Sequence, residues 1–296
     1  MRVAANGLEI ECEVSGDAAA EPMLLIMGLG MQLTAWPDEF LKALVDKGFR
    51  PITFDNRDIG LSTKLDATGM PNLLAAGMLN ALGLPIRAPY LIRDMANDAV
   101  GLLDALHIER CHVVGVSMGG MIAQQLAAMS PARVRSLALV MTTSGARRLP
   151  GPTARARRAL LSRPRNPHDV ESRIDHAMGI WRMIGSPAYP VSDEALRAKV
   201  GRSVRRSYHP QGVARQLVAV AASGDRSPLL ARISAPTLVL HGRDDPLVPV
   251  ACGVDLANKI PGARLEVVDG MGHDLPLPLI PGFAASIAAN CARAAP

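Results

Sequence analysis

Apolar and polar positions change rhythm along this chain, and each rhythm predicts a different element. Behind an Asn6-Gly7 turn signal, Leu8, Ile10, Cys12 and Val14 alternate with Glu9, Glu11 and Glu13. This is the period-2 pattern of a half-exposed hairpin strand, here expected at an antiparallel edge. Met23-Leu24-Leu25-Ile26-Met27 is instead a continuous apolar run, as in strands buried on both faces. Further short strands are predicted at 51–54, 113–116, 137–140, 237–240 and 265–268. Between them the spacing turns helical. Pro37 opens a helix with Phe40, Leu41, Leu44 and Val45 on one side, and Gly48 ends it. Ile92, Met95, Ala99, Leu102, Leu103 and Leu106 recur at helical spacing. A helix to about residue 129 follows the strand at 113–116, and another starts near Pro281.

Strands alternating with helices predict the α/β class: a mostly parallel central sheet with helices on both faces. From about Gly145 to Arg226 the alternation stops, and an arginine- and proline-rich stretch has helical patches but no clear strand. One interrupted sheet explains this better than two sequential domains. The expected organisation is a core of residues 1–145 and 226–296, with 146–225 as a helical lid inserted into it. Within the insertion, Met178, Ile180, Trp181, Met183 and Ile184 form an apolar patch that either glues the lid to the core or lines a pocket. Met31, Leu33 and Trp36 allow the same two readings.

Composition narrows the picture. Among 296 residues 49% are hydrophobic, enough for a substantial core, yet no stretch approaches the roughly 18 uninterrupted apolar residues of a membrane span. Met1 to Gly7 lacks the apolar run of a secretion signal, so a soluble, cytoplasmic protein without a membrane partner is expected. The net charge of +5 is mostly local, with Arg147, Arg148, Arg155, Arg157, Arg158, Arg163 and Arg165 crowding one segment. No aromatic residues interleave there and no nucleic-acid module is matched, so the run reads as a solvated face and no nucleic-acid partner is expected. Attraction of an anionic substrate is the sharper alternative. Cys12, Cys111, Cys252 and Cys291 are scattered, without zinc-ligand spacing, and read as reduced structural thiols. No metal or other cofactor is expected, and nothing in the pattern bears on oligomeric state.

Candidate chemistry centres on Gly115-Val116-Ser117-Met118-Gly119, a G-x-S-x-G match placed where an apolar strand ends and an apolar helix begins. A turn that sharp strains the serine backbone and brings residues two before and two after too close for side chains. The hydroxyl is thereby thrust above the sheet, at a helix N-terminus that favours developing negative charge. A serine needs a base, and two later strand-end loops offer candidates. One is His241-Gly242-Arg243-Asp244-Asp245-Pro246; the other is Gly270-Met271-Gly272-His273-Asp274. The loop Thr142-Thr143-Ser144-Gly145 carries no carboxylate and cannot supply the acid. Among the remaining histidines, His107 and His112 are expected at the surface, while His241 either has a structural role or lines the pocket.

On these residues the chain resembles the α/β-hydrolase superfamily over nearly its full length, and within it the small-ester hydrolases. Gly242-Arg243-Asp244-Asp245-Pro246-Leu247-Val248-Pro249 is similar to the family's acid loop, where the aspartate three residues after glycine is catalytic, which selects Asp245. Gly272-His273 resembles the histidine loop, and Asp55-Asn56-Arg57-Asp58-Ile59-Gly60-Leu61-Ser62 a family loop that is usually structural. Gly270 to Pro276 also resembles the methylesterases that trim polyketide esters. The family often has His-Gly after its third strand, where this chain has Met27-Gly28-Leu29-Gly30. The resemblance then implies backbone N–H groups of Leu29 and Met118 as the oxyanion hole.

The expected activity is carboxylic-ester hydrolysis of a small, partly apolar ester through Ser117, His273 and Asp245, with Met31, Trp181, Met183 and His241 as candidate pocket residues. The same triad supports C–C bond hydrolysis, acyl transfer, or perhydrolase and haloperoxidase chemistry. A ligand-binding receptor that retains the triad is the non-enzyme alternative. Serine rather than aspartate at the elbow argues against an epoxide hydrolase or haloalkane dehalogenase.

Overall fold

A computed structural model describes residues 1–294. Strands β1 (Arg2–Ala5), β2 (Leu8–Val14), β3 (Glu21–Ile26), β4 (Phe49–Phe54), β5 (Cys111–Val116), β6 (Val134–Val140), β7 (Thr237–Gly242) and β8 (Arg264–Val268) form one sheet. Their spatial order is β1-β2-β4-β3-β5-β6-β7-β8. The pairs β1·β2 and β2·β4 are antiparallel, and all pairs from β4·β3 to β7·β8 are parallel. The expectation that residues 8–14 form the edge is corrected here. β1 takes the edge, and β2 is roofed on its other side by β4 through the Cys12–Phe54 register.

The continuous apolar runs are explained by burial on both faces. Leu24 and Ile26 point to one side, into a core with Met95, Leu102, Ile122 and Leu126 of helices Ile92–Ala105 and Met118–Met129. Met23 and Leu25 point to the other, against Phe40, Leu44, Phe283 and Ile287 of helices Asp38–Val45 and Ile280–Cys291. A strand that alternates between two apolar cores has no polar face, which is why its sequence does not alternate. Among the described residues, no helix is long and apolar enough to cross a membrane.

Between β6 and β7 the chain forms helices Ala154–Leu160, Val170–Ile184, Asp193–Arg206, Pro210–Ser223 and Ser227–Leu230. The insertion has a small core of its own, Ile174, Met178, Leu196 and Val200. Ion pairs fasten it to the loop after β4. Arg206 donates to Asp55 at 2.7 Å, and Arg215 donates to the two oxygens of Asp58 at 2.7 and 2.9 Å. Both aspartates sit in the loop after β4. Asp55 also receives the N–H groups of Leu33 and Leu61 at 2.7 and 2.8 Å. Gly60 (φ +57°) is required beside it, because a Cβ there would lie 1.9 Å from Asp55 Oδ2.

Candidate active site

Ser117 follows β5 and precedes helix Met118–Met129, with φ 55° and ψ −120°. A non-glycine residue at positive φ is held there only by its surroundings. Ser117 N–H donates to Val140 O at 3.0 Å, and Thr142 Oγ1 donates to Ser117 O at 2.6 Å. The flanking glycines are demanded by the same turn. A Cβ on Gly115 would lie 2.5 Å from Gly119 O, and one on Gly119 would lie 2.0 Å from Ile26 O.

The loops after β7 and β8 converge on this serine. His273 Nε2 lies 3.0 Å from Ser117 Oγ, and His273 Nδ1 lies 2.7 Å from Asp245 Oδ2. The carboxylate fixes the tautomer: Nδ1–H donates to Asp245, leaving Nε2 to accept from the serine hydroxyl. Asp245 is itself held by the N–H groups of Leu247 and Val248, each 2.8 Å from Oδ1. Its neighbour Asp244 turns the other way and accepts from Gly270 N–H at 2.9 Å. The insertion braces the histidine loop, since His273 N–H donates to Ile184 O at 2.7 Å and Gly272 N–H to Ser186 Oγ at 2.8 Å. Gly272 is needed there because a Cβ would meet Gly185 O at 2.5 Å.

Leu29 and Met118, the two residues expected to supply an oxyanion hole, line the same cavity as Ser117 and His273. Met118 is the first residue of its helix, so its N–H has no intrahelical acceptor, and among the described residues none meets the Leu29 N–H. The loop bearing Leu29 is pinned on both sides. Gly28 approaches the elbow so closely that a Cβ would lie 3.2 Å from Ser117 Cβ. Gly30 N–H donates to Gln216 Oε1 at 2.9 Å, and Gln216 Nε2 donates to Arg57 O at 3.0 Å. Gln216 is fully buried.

The cavity measures about 580 Å³ and is mostly apolar in lining, with Met31, Ile180, Trp181, Ile184 and Leu275 among its walls. Two of the expected pocket residues are not on it. Met183 lies two positions beyond Trp181, roughly 160° round the helix, and so faces away. His241 is fully buried between β7 and helix Ala251–Lys259, where a Cβ on Gly253 would lie 2.6 Å from its Nδ1. Its Nε2–H donates to Val248 O at 2.7 Å while Nδ1 has no partner among the described residues, and burial lowers its pKa from the ordinary histidine value. His241 therefore supports the acid loop from below. The apolar patch of the insertion divides: Met178 joins the insertion's own core, whereas Ile180, Trp181 and Ile184 face the cavity. Of Met31, Leu33 and Trp36 only Met31 does, Trp36 being buried against Phe40 with ring centroids 5.5 Å apart.

Several residues in and beyond this site carried no signal in the sequence. His112 was expected at the surface, yet it is buried in β5 between Ser136 (2.8 Å) and Glu21 (3.0 Å), because β5 has no exposed face. Arg226 is a buried cation at the cavity wall, held by Thr143 O (2.9 Å), Gly224 O (3.0 Å) and Gln124 Oε1 (3.3 Å), and burial pushes its pKa down to about 10. Lys199 and Asp274 line the cavity as well. Of the seven clustered arginines only Arg147 reaches the cavity wall, and its guanidinium is taken by the carbonyls of Asn80 and Ala81 at the end of helix Leu73–Leu82. Among the described residues, no group of three or more His, Cys, Asp or Glu is arranged to hold a metal ion.

Comparison with known proteins agrees with this architecture. The chain is 29% identical to the rhodomycin D methylesterase DauP of Streptomyces sp. (strain C5), covering 93% of this chain and 92% of that protein. It is 28% identical to a 2-hydroxy-6-oxononadienedioate/2-hydroxy-6-oxononatrienedioate hydrolase of Cupriavidus pinatubonensis, covering 89% and 84%. The meta-cleavage product hydrolase of Pseudomonas fluorescens IP01 superposes with a TM-score of 0.75 at 20% identity, over 98% of this chain and 96% of that one, a likeness of fold. The family model for the alpha/beta hydrolase fold matches residues 21–278. The chain belongs to the α/β-hydrolase fold family.

Proposed function

We propose that this protein is a serine carboxylic-ester hydrolase, with Ser117 as nucleophile, His273 as base and Asp245 as the residue that orients and stabilises the imidazolium. The observation that carries the reading is the continuous chain of contacts Ser117 Oγ–His273 Nε2–Asp245 Oδ2, at 3.0 and 2.7 Å, on a strained elbow. His273 removes the hydroxyl proton as Ser117 attacks the ester carbonyl. The tetrahedral oxyanion then takes the N–H groups of Leu29 and Met118, each worth about 3 kcal/mol in such sites. The proton passes from His273 to the departing alcohol, and water repeats the attack on the acyl-enzyme. Residues 146–225 act as the lid, and the largely apolar walls fit an ester with an apolar body. The relative named as a methylesterase supports ester chemistry.

The test is covalent. Incubation with a fluorophosphonate followed by peptide mass spectrometry should place one phosphonyl group on Ser117. Modification elsewhere, or none, would contradict the reading. The relative named as a dienedioate hydrolase favours a second reading, hydrolysis of a C–C bond by the same triad. Turnover of a vinylogous 1,5-diketone with no release of alcohol from esters would select it.

A further inference from the structure

Among the described residues, the cavity holds one cation without a polar partner. Lys199, on helix Asp193–Arg206, lines the cavity with its ammonium 4.4 Å from the centroid of the Trp181 ring. Among the described residues its one recorded contact is that ring, with no hydrogen bond and no carboxylate within 4.0 Å. The acids whose fields reach it are Asp274 and Glu39, and Arg202 opposes them. Asp274, which lines the same cavity, accepts the Ser186 hydroxyl at Oδ1 and acts on Lys199 only across a longer distance. An ammonium has three donors and no acceptor, and the ring face offsets only part of its lost hydration. Burial accordingly draws the Lys199 pKa below the ordinary lysine value. The other cations nearby are not free in this way, because Arg226 and Arg147 are committed to backbone carbonyls.

We propose that Lys199 is the anion anchor of the substrate cavity, so that the preferred esters carry a carboxylate in addition to the ester group. The proposal rests on the ester-hydrolase reading and deepens it. The incoming carboxylate supplies the acceptors Lys199 lacks, and Trp181 and Ile184 enclose the apolar stem between carboxylate and ester. Between largely apolar walls such a charge-assisted hydrogen bond is stronger than at an open surface.

The experiment compares p-nitrophenyl hydrogen adipate with p-nitrophenyl hexanoate, matched in length and differing in the terminal charge. Wild type should favour the anionic ester in kcat/KM by about tenfold or more, the effect of one charge-assisted hydrogen bond. Lys199→Met should bring that ratio to about one, mainly through KM, and Lys199→Arg should keep most of it. A wild-type ratio near one, or a ratio that survives in Lys199→Met, overturns the proposal. A second measurement separates this from failure of the hydrolase reading. In Ser117→Ala, octanoate and octan-1-ol are titrated against the fluorescence of Trp181, the other tryptophan, Trp36, being buried away from the cavity. Tighter binding of octanoate, lost in the Ser117→Ala/Lys199→Met double variant, supports the anchor even where no ester is turned over. Equal binding of the two probes counts against it.

Discussion

Gln216 accepts the Gly30 N–H at 2.9 Å from a helix that lies 186 residues further along the chain. The same side chain donates to Arg57 O, so one buried amide ties the insertion, the loop after β4 and the loop bearing Leu29 together. This bond holds a loop that the proposed mechanism uses only through its backbone. Gln216→Leu removes both bonds and leaves the part-buried Gly30 N–H and the buried Arg57 carbonyl unsatisfied. It should lower kcat about 10- to 100-fold with a smaller change in KM, as expected when oxyanion stabilisation is lost but ground-state binding is kept. A variant that only loses stability, with kcat intact in the folded fraction, would contradict this role.

Gly119→Ala is predicted to destabilise by more than about 3 kcal/mol and to lose activity, because its Cβ would lie 2.0 Å from Ile26 O in backbone that cannot yield cheaply. Gly151→Ala serves as the control, having nothing within 4 Å of the added Cβ, and should stay within about 0.5 kcal/mol of wild type. Denaturant melts of the two variants make the comparison. Equal stability would mean that the elbow is not as tightly packed as described.

The latch between Asp58 and Arg215 predicts an acid limit to stability. Burial alone would raise the Asp58 pKa, but hydrogen bonds from Arg215, the Leu65 N–H and the Tyr90 hydroxyl outweigh it and hold the carboxyl below its ordinary value. A carboxyl depressed in the folded state contributes stability above the unfolded pKa, about 4, and loses it as pH falls through the lower, folded value. Wild type should therefore lose melting temperature steeply below about pH 4. Asp58→Asn leaves Arg215 buried without its main partner and should cost about 3–5 kcal/mol at pH 7. The gap to wild type should narrow as pH falls below 4. A constant gap across that range would show that the pair does not titrate with folding.

The sheet and the three convergent residues were legible in the sequence largely for one physical reason. Strands buried on both faces write continuous apolar runs, and a reactive loop must begin where such a run ends. Ser117 and Asp245 follow such strands, β5 and β7, whereas His273 follows the exposed edge strand β8. The glycines at 115, 119, 242 and 272 mark positions where backbones approach too closely for a side chain. What could not be read is tertiary. Asp244 and Asp245 are chemically identical neighbours that only the resemblance to the family's acid loop separated, and the loop's path turns Asp245 toward His273 and Asp244 toward Gly270. Lys199 sits in a helix dense with arginine and acidic residues, where any lysine reads as solvated until packing lays it across Trp181. Gln216 acquires its partners, and Arg226 most of its own, from residues far away along the chain. Met183 and His241 failed as pocket residues because proximity in sequence does not fix which way a side chain points.

The central claim is that Ser117 is the nucleophile of an ester hydrolase. It is tested most directly by kcat/KM for p-nitrophenyl butyrate with wild type beside Ser117→Ala. Wild type should turn the ester over and Ser117→Ala should lose about 10⁴-fold or more, with its melting temperature essentially unchanged. Turnover that survives the substitution would contradict the account.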